Sequence, residues 1–331
     1  MSNSIFKAYD IRGLVEDELT ADFSFAAGLS YARFLKDERE PATVVIGEDM
    51  RPSSPELADA FSAGVMSQGF DVIRIGLAST DMLYFAAGKL NLPGAMFTAS
   101  HNPAAYNGIK LCLSGARPVG KESGLLRIEK YMSEGSPIST TQVGVERRED
   151  MLADYVGHLH SLVDTTGIRR LKIVVDAGNG MAGHTAPAVF ASMNAEIIEL
   201  YYELDGTFPN HEANPIDPAN LRDLQKAVRS HKADIGLAFD GDAAIVLVHA
   251  GQLDAYHHVL AGFLHFAGQQ APARESGEGT SGRCFHLIAR SIFTFEMSQR
   301  FAASGEQFTP AFRQIFPGAI DLTANVLASL L

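Results

Sequence analysis

A serine with two basic residues near it stands at the end of a short apolar segment. In residues 95–111, AMFTASHNPAAYNGIKL, Ser100 follows a predicted strand, His101 comes next and Lys110 lies further along the chain. Loops that leave the carboxyl ends of strands in an α/β sheet build ligand sites. A serine at such an end can carry a phosphoryl group if positive groups stabilise the dianion, and His101 and Lys110 are the candidates.

The path from Ser100 to Lys110 contains the dipeptide Asn107-Gly108. This pair is typical of a tight turn, and a turn here would fold Lys110 back toward the serine. The alternative is that Ser100 is a turn residue whose hydroxyl bonds its own backbone, a common role of serine in loops. The segment by itself leaves both interpretations open.

Two aspartates follow a second predicted buried strand. The segment AFDGDA, residues 238–243, places Asp240 and Asp242 on either side of Gly241. Side chains two positions apart in extended chain point the same way, and the glycine lets the backbone bend between them. Two carboxylates facing one point suit a hard cation such as Mg²⁺, which also binds phosphate oxygens. A solvated Asp-Gly-Asp turn is the alternative.

A third candidate lies near the start of the chain, in FKAYDIRG, residues 6–13. It contains Tyr9 and Arg12. The guanidinium fork of arginine matches the geometry of a phosphate, so Arg12 is a candidate phosphate ligand. The alternative is an exposed arginine in an N-terminal strand.

The elements that would position these residues alternate between helix and strand. From residue 24 to 113, helical periodicity alternates with short apolar runs, and the alternation restarts at residue 151. Such alternation predicts α/β units with a mostly parallel sheet covered by helices. The Ser/Thr/Gly-rich stretch between them predicts a linker over residues 136–150. We therefore expect domains at 1–135 and 151–250, and an atypical segment at 251–331.

The composition limits the classes of partner. The chain has 331 residues and a formal net charge of −12, so a nucleic acid or an anionic membrane is a poor match. Two cysteines, Cys112 and Cys284, make neither a disulfide framework nor a zinc site. The chain shows no signal peptide and no apolar run of bilayer length, so we expect a soluble cytoplasmic protein. The oligomeric state is not indicated.

Taken in order, five segments resemble the α-D-phosphohexomutases, the bacterial phosphomannomutase and phosphoglucomutase enzymes. They are YDIRG at 9–13, TASHNPAAYNGIKL at 98–111, VVDAGNGMAG at 174–183, FPNHEANP at 208–215 and GLAFDGDA at 236–243. The resemblance covers about residues 5–243. It implies two tandem mixed-sheet α/β/α domains, the first with a phosphoserine loop and the second with a metal loop.

The resemblance also implies a reaction. Ser100 would carry the phosphoryl group, and Mg²⁺ would be bound by Ser100, Asp240 and Asp242. His101 would support the phosphoserine, and Lys110 would transfer a proton. Tyr9, Arg12 and Lys110 would bind phosphate or substrate. A mannose or glucose phosphate would be converted through a hexose 1,6-bisphosphate. Such phosphoryl transfer depends mainly on positioning and charge neutralisation.

The sequence departs from the family after Ala243. The family loop reads Asp-Gly-Asp-x-Asp-Arg, whereas here Ala244 and Ile245 stand at the last two positions. One carboxylate and one arginine are lost, so we expect weaker Mg²⁺ binding and impaired turnover. After Ala243 we recognise no family feature. Members of the family have a third α/β domain with a sugar-reading loop and a fourth domain that grips the non-reacting phosphate, and these domains III and IV are expected to be absent. Helices are predicted at 255–268 and 291–302, and a loop at 271–283.

A shifted reading frame is one hypothesis for this departure. The codons GCG-ATC-GTN would encode Ala244-Ile245-Val246, and they contain GAT-CGT, which spells the expected Asp-Arg one frame over. Lys232 is the last lysine in the chain, which is a further change of character. Sequencing the gene tests the hypothesis.

Two other functions remain open. Gly178, Gly180 and Gly183 form a G-x-G-x-x-G pattern after a strand, with Glu196 and Glu199 near the expected acidic position, so a dinucleotide-binding oxidoreductase is formally possible. The glycines can equally serve a tight strand-to-helix turn. The third possibility is a catalytically inactive, truncated homologue that binds a phosphosugar or a protein partner.

Overall fold

Two α/β units make up the described part of the computed structural model. It comprises residues 5–135, 142–162 and 167–243, together with the backbone of two short strands, Ile245–His249 and His258–Val259. Each unit has its own sheet. The predicted helices at 255–268 and 291–302, the loop at 271–283 and the shifted-frame hypothesis fall outside the described residues, apart from the strand His258–Val259, which replaces part of the first helix.

The first sheet has seven strands, and it is mixed. The strands are β1 Ile11–Leu14, β2 Thr43–Glu48, β3 Asp71–Leu77, β4 Gly94–Phe97, β5 Tyr106–Leu113, β6 Arg117–Pro118 and β7 Glu146–Arg148. The order is β1-β5-β4-β2-β3-β7, with β6 beside β5. Strand β5 runs antiparallel to β1, β4 and β6, whereas β2 is parallel to β3 and β4, and β3 is parallel to β7.

Helices cover both faces of this sheet. They are α1 Ala21–Asp37, α2 Ser54–Met66, α3 Thr80–Leu90 and α4 Leu126–Glu134. Helices α1 and α2 cross closely, because a Cβ added at Gly28 would lie 2.2 Å from the carbonyl oxygen of Phe61. Their apolar faces bury Phe61 against Phe97 of β4. Helix α3 covers the other face, where Leu83 and Met96 are fully buried.

The second sheet has five strands. The elements of this unit are α5 Leu152–Leu162, β8 Leu171–Asp176, α6 Ala182–Phe190, β9 Ala195–Leu200, α7 Arg222–His231, β10 Ile235–Phe239, β11 Ile245–His249 and β12 His258–Val259. The strand order is β12-β11-β10-β8-β9. Strand β8 is parallel to β9 and β10, and β11 is antiparallel to β10 and β12. Two tandem mixed-sheet α/β/α units are therefore confirmed.

The stretch between the two units differs from the prediction of a linker. Residues Glu146–Arg148 are strand β7 of the first sheet, where they pair with β3. The next helix, α5, also contacts the first unit: Tyr155 packs in the apolar cluster of Leu83, and its hydroxyl donates to Asp81 at the start of α3. Backbone pairing and apolar burial thus extend the first unit past the position predicted from composition.

Candidate active site

The serine loop connects β4 to β5, and its backbone turns sharply at Ser100. This residue has φ +51°, a left-handed conformation that is uncommon for residues other than glycine. The amide of Ser100 donates to Thr98 Oγ1 at 3.0 Å. Its hydroxyl donates to Asp240 Oδ2 at 2.7 Å. The Ser100 side chain is therefore directed at the second unit rather than at its own backbone, which favours the first interpretation of this serine.

The predicted tight turn at Asn107-Gly108 is wrong. Both residues lie in strand β5, and the chain reverses earlier, where the amide of Tyr106 donates to the carbonyl of Pro103. Asn107 is buried and its amide donates to the hydroxyls of Ser53 and Ser54. Lys110 approaches the site because it projects from β5, the strand that runs antiparallel to β4.

The metal-loop candidates lie at the end of β10. Asp240 and Asp242 are only 5% and 4% exposed. Gly241 between them is required by a close approach, because a Cβ there would lie 2.4 Å from the carbonyl oxygen of Ser100. A side chain at position 241 would push the two loops apart. Asp240 and Asp242 come close to Ser100 because glycine at position 241 lets the backbone of their loop pack directly against the backbone of the serine loop.

Asp242 is held by groups from the first unit. Its Oδ2 accepts from Lys110 Nζ at 2.9 Å and from Thr80 Oγ1 at 2.6 Å. Burial is the largest effect on Asp242 and opposes its ionisation. The charge of Lys110 together with hydrogen bonds from Thr80, Asp240 and Lys110 outweighs burial, and the pKa of this carboxyl falls well below its usual range. Burial likewise lowers the pKa of Lys110, whereas Asp242 raises it, and the net direction is upward. The pair is therefore ionised in this state.

Thr80 was missed by the sequence interpretation. It is the first residue of α3, and Ser79 caps this helix by accepting from the amide of Met82. The amide of Thr80 donates to the carbonyl of Asp242 at 3.3 Å. A helix N-terminus stabilises a negative charge, so α3 adds to the neutralisation of Asp242. A Ser-Thr-Asp sequence before an apolar helix marks such an N-terminus, and the chain carries this signal at residues 79–81.

Arg12 reaches the serine loop from β1. Its Nη1 donates to Asn102 Oδ1 at 2.8 Å and its Nη2 donates to Asp10. The Nε of Arg12 is buried and has no hydrogen-bond partner within the described part of the chain, so this donor is unsatisfied. The guanidinium therefore combines positive charge with spare donor capacity beside the serine loop.

His101 and Tyr9 are the outer members of the predicted set. His101 is exposed in the serine loop. Partial desolvation of its ring by the surrounding residues and the neighbouring charge of Arg12 nevertheless lower the pKa of this histidine. Tyr9 is 44% exposed. The structure thus links Ser100, Lys110 and the two aspartates directly, reaches Arg12 through Asn102, and leaves Tyr9 at the surface.

The residues present fit a hard divalent cation. Two buried carboxylates and a serine hydroxyl supply only oxygen donors, the type that Mg²⁺ prefers. Within the described residues no three His, Cys, Asp or Glu side chains cluster as a complete ligand set. A phosphate on Ser100 and water would have to supply the remaining ligands, which is how Mg²⁺ is commonly held in phosphoryl-transfer sites.

Other segments of the chain pack directly against the glycines of the pattern at 178–183. A Cβ at Gly180 would lie 2.9 Å from the Cα of Gly241, and one at Gly183 would lie 2.1 Å from the carbonyl oxygen of Tyr202. The amide of Met181, just before α6, donates to the carbonyl of Gly241 at 3.0 Å. The metal loop therefore occupies the place where a pyrophosphate would have to lie, and the glycines serve packing.

Comparison with known proteins decides the family. The models "Phosphoglucomutase/phosphomannomutase, alpha/beta/alpha domain I" and "domain II" match residues 3–138 and 153–250. Together these ranges cover more than half of the chain. The chain belongs to the phosphoglucomutase/phosphomannomutase family. The resemblance inferred from the sequence is confirmed.

Several relatives in the phosphoglucomutase/phosphomannomutase family are named phosphomannomutase. One from Vibrio cholerae is 40% identical over 244 residues, which are 72% of this chain and 53% of the relative. One from Escherichia coli is 41% identical over 246 residues, again 72% and 53%. The chain spans about half the length of these curated relatives.

A solved structure in the same family has the same fold. The phosphoglucomutase/phosphomannomutase family protein from Burkholderia thailandensis matches with a TM-score of 0.71 at 32% identity. The match covers 81% of this chain and 58% of that one.

No helix among the described residues is both long and apolar enough to span a bilayer.

Proposed function

We propose that this chain transfers a phosphoryl group between Ser100 and a hexose phosphate. The full reaction would interconvert hexose 6-phosphate and hexose 1-phosphate through a phosphoserine and a hexose 1,6-bisphosphate. The observation that carries the proposal is the 2.7 Å contact between the Ser100 hydroxyl and Asp240, whose side chain also contacts that of Asp242. Mannose or glucose phosphate is the proposed substrate, because the relatives are named phosphomannomutases and the matching family models are named for both phosphoglucomutase and phosphomannomutase.

Each polar residue has a role in this scheme. Asp240, Asp242 and the phosphoserine would hold Mg²⁺, which when bound would neutralise the charge that develops on the transferring group. Arg12 would donate its free Nε to a phosphate oxygen. Lys110 would offset negative charge and exchange a proton with the sugar hydroxyl or the serine oxygen. His101 would steady the phosphoserine from the open side of the loop.

The bonds balance without a further reactant. In one direction the bond from phosphorus to Ser100 Oγ breaks and a bond to the sugar hydroxyl oxygen forms, while the hydroxyl proton passes to the serine oxygen. In the other direction the steps reverse with the second phosphate of the bisphosphate. Retention of the bisphosphate between the two transfers would make the second transfer effectively unimolecular.

Mass spectrometry of the phosphorylated protein tests the proposal. The chain is incubated with glucose 1,6-bisphosphate, with Mg²⁺ or with EDTA, and intact mass and peptide mapping locate any phosphate. We expect one phosphoryl group on Ser100 that forms only with Mg²⁺. Ser100→Ala should abolish it, and Ser133→Ala, an exposed serine at the end of α4, should not. A folded chain that never gains phosphate would instead favour the inactive, ligand-binding homologue.

We further propose that steady-state mutase turnover is weak in this chain. Ala244 and Ile245 stand where the family loop has an aspartate and an arginine, so one metal ligand and one positive charge are lost. A coupled assay with mannose 1-phosphate should give much slower turnover than a relative such as the Escherichia coli phosphomannomutase. The double variant Ala244→Asp/Ile245→Arg should tighten the dependence on Mg²⁺. Turnover equal to the relative's would contradict the proposal.

A further inference from the structure

A buried arginine that no sequence pattern singled out lies beneath the serine loop. Arg51 follows β2 and is only 1% exposed. Its guanidinium has five N–H groups, and all five are used. Nη1 donates to the carbonyls of Pro103 and Tyr106, both at 2.9 Å. Nη2 donates to the carbonyls of Ser100 at 3.0 Å and Asn102 at 2.7 Å.

The fifth donor fixes the arginine to its own strand end. Arg51 Nε donates to Asp49 Oδ2 at 3.2 Å, and the Arg51 amide donates to Asp49 Oδ1 at 3.0 Å. Asp49 is 1% exposed and also accepts from the hydroxyl of Ser54. The guanidinium therefore has a defined orientation before it meets the loop, and four loop carbonyls converge on it.

The loop needs such an anchor for two reasons. Ser100 has a left-handed backbone, and conformations of this kind persist only where the surroundings over-determine them. Four loop carbonyls would also lose this donor together if Arg51 were removed, which is most costly for the buried contact with Ser100. A lysine could supply the charge but not the fork, because its ammonium is a compact group with three donors.

The second unit covers the same arginine. The ring of Phe208 lies over the guanidinium of Arg51, with 5.1 Å between the guanidinium carbon and the ring centroid. Gly206 approaches so closely that a Cβ there would lie 2.6 Å from the Cα of Arg51. Phe208 has φ +53°, an unfavourable backbone for an aromatic residue. The loop of the second unit that contains Gly206 and Phe208 therefore packs against Arg51, the same residue that binds the carbonyls of the serine loop.

We propose that Arg51 is a positioning residue that fixes Ser100 in line with the aspartates of the second unit. It touches neither the metal donors nor the serine hydroxyl, and it acts through the four loop carbonyls. The inference rests on the proposed function where phosphate transfer is measured. Its second measurement, hydrogen exchange, depends only on the structure of the loop. A misplacement of reacting groups by about 1 Å can reduce a rate on the order of 100-fold.

The test compares Arg51→Lys, Arg51→Met and a matched control, Arg74→Met. Arg74 is also buried and ion-paired, with Glu48 and Asp59, so its loss controls for removal of a buried arginine in the same unit. Arg51→Lys keeps a cation beside Asp49, so it remains informative if Arg51→Met fails to fold. Circular dichroism and thermal melting establish which variants are folded.

Two measurements are made on each folded variant. The first is the rate of phosphate transfer to Ser100 from glucose 1,6-bisphosphate over a range of concentrations. We expect Arg51→Lys to lower the maximal rate on the order of 100-fold, with little change in the half-saturating concentration. The second is hydrogen exchange in peptides covering residues 98–107, which should become faster in both Arg51 variants and stay unchanged in Arg74→Met.

The outcomes separate this inference from the proposed function. A folded Arg51→Lys variant with the wild-type transfer rate would overturn the positioning role. If the wild-type chain gains no phosphate, the proposed function fails, and hydrogen exchange alone decides about Arg51. Unchanged exchange over residues 98–107 in a folded Arg51 variant would then overturn the inference, whereas faster exchange would support it.

Discussion

The hydroxyl of Ser100 donates to Asp240 Oδ2 at 2.7 Å, although Asp240 lies 140 positions further along the chain and follows a strand of the other sheet. Two further contacts cross the same boundary. The carbonyl of Ser100 lies against Gly241, and Thr80 donates to Asp242. The candidate site is therefore formed at the seam between the two units, and neither unit holds it alone.

Replacing Asp240 by asparagine tests the paired carboxylates. Asp240→Asn keeps the size of the side chain and an oxygen that can accept from Ser100, but it removes a negative charge from the proposed cation site. We expect phosphate transfer to Ser100 to fall at least on the order of 100-fold, since lost transition-state charge stabilisation has this magnitude. The rate is measured by quench and intact mass at several Mg²⁺ concentrations. Asp217→Asn, in an exposed turn, should change nothing.

Gly241 tests the close approach of the two loops. Gly241→Ala places a Cβ 2.4 Å from the Ser100 carbonyl oxygen, a backbone atom that cannot move aside cheaply. We expect a loss of about 1–3 kcal/mol in the free energy of unfolding, the usual cost of overpacking, together with slower phosphate transfer. Unfolding in urea and the mass assay measure the two effects.

The control for this change is Gly157→Ala. Gly157 is exposed in α5, and a Cβ there would meet no atom of the described residues within 4 Å. Alanine is favoured over glycine in a helix by about 1 kcal/mol, so Gly157→Ala should stabilise the chain and leave transfer unchanged. Equal effects of the two substitutions would contradict the close approach at position 241.

Residue type and spacing singled out Ser100, Asp240 and Asp242, and the structure brings Ser100 and Asp240 into hydrogen-bond contact. Two carboxylates flanking a glycine at a strand end suit a cation, and a serine at another strand end suits phosphoryl transfer, but each segment also fitted an ordinary turn. The alternation of helix and strand predicted both units. The sequence alone could not show that the serine loop contacts the loop of Asp240 and Asp242, because contacts between sequence-distant loops depend on how the two units pack.

The errors have specific physical causes. Asn107-Gly108 has the composition of a hairpin turn. Glycine also suits a strand where a neighbouring backbone comes very close, and a Cβ at Gly108 would lie 2.6 Å from the carbonyl oxygen of Ile11. Arg51 resembles any loop arginine in the sequence, since its role depends on carbonyls about fifty residues away. Strand β7 has charged, exposed residues, so only its pairing with β3 reveals it.

The ion pair between Lys110 and Asp242 should contribute to stability because it is largely buried, with side chains 16% and 3% exposed. Lys110→Met leaves Asp242 without its cation, and breaking a buried pair costs about 3–5 kcal/mol. We expect the double variant Lys110→Met/Asp242→Asn to recover part of this loss, measured by urea unfolding. Lys89→Met removes an exposed pair with Asp154 and should cost only about 0–1 kcal/mol. Equal costs for Lys110→Met and Lys89→Met would contradict this account.

His211 should make stability depend on pH in the near-neutral range. Burial opposes its protonation, but hydrogen bonding to Asp176 at 3.1 Å and the charge of that residue outweigh burial and raise the pKa of His211 above its ordinary value of 6.5. A raised pKa in the folded state means that the folded chain binds the proton more tightly. The contribution is therefore complete below the ordinary value and is lost as the pH rises through the raised one.

Thermal melting of His211→Gln against the wild type measures this contribution. The difference in melting temperature should be largest near about pH 6 and should shrink as the pH rises toward about 9, where the wild-type imidazole is neutral. His184→Gln serves as the contrast, because burial lowers the pKa of His184 and the stability linked to it is lost as the pH falls instead. A pH-independent difference for His211→Gln would show that the ring contributes packing against Tyr201 but no charged contact with Asp176.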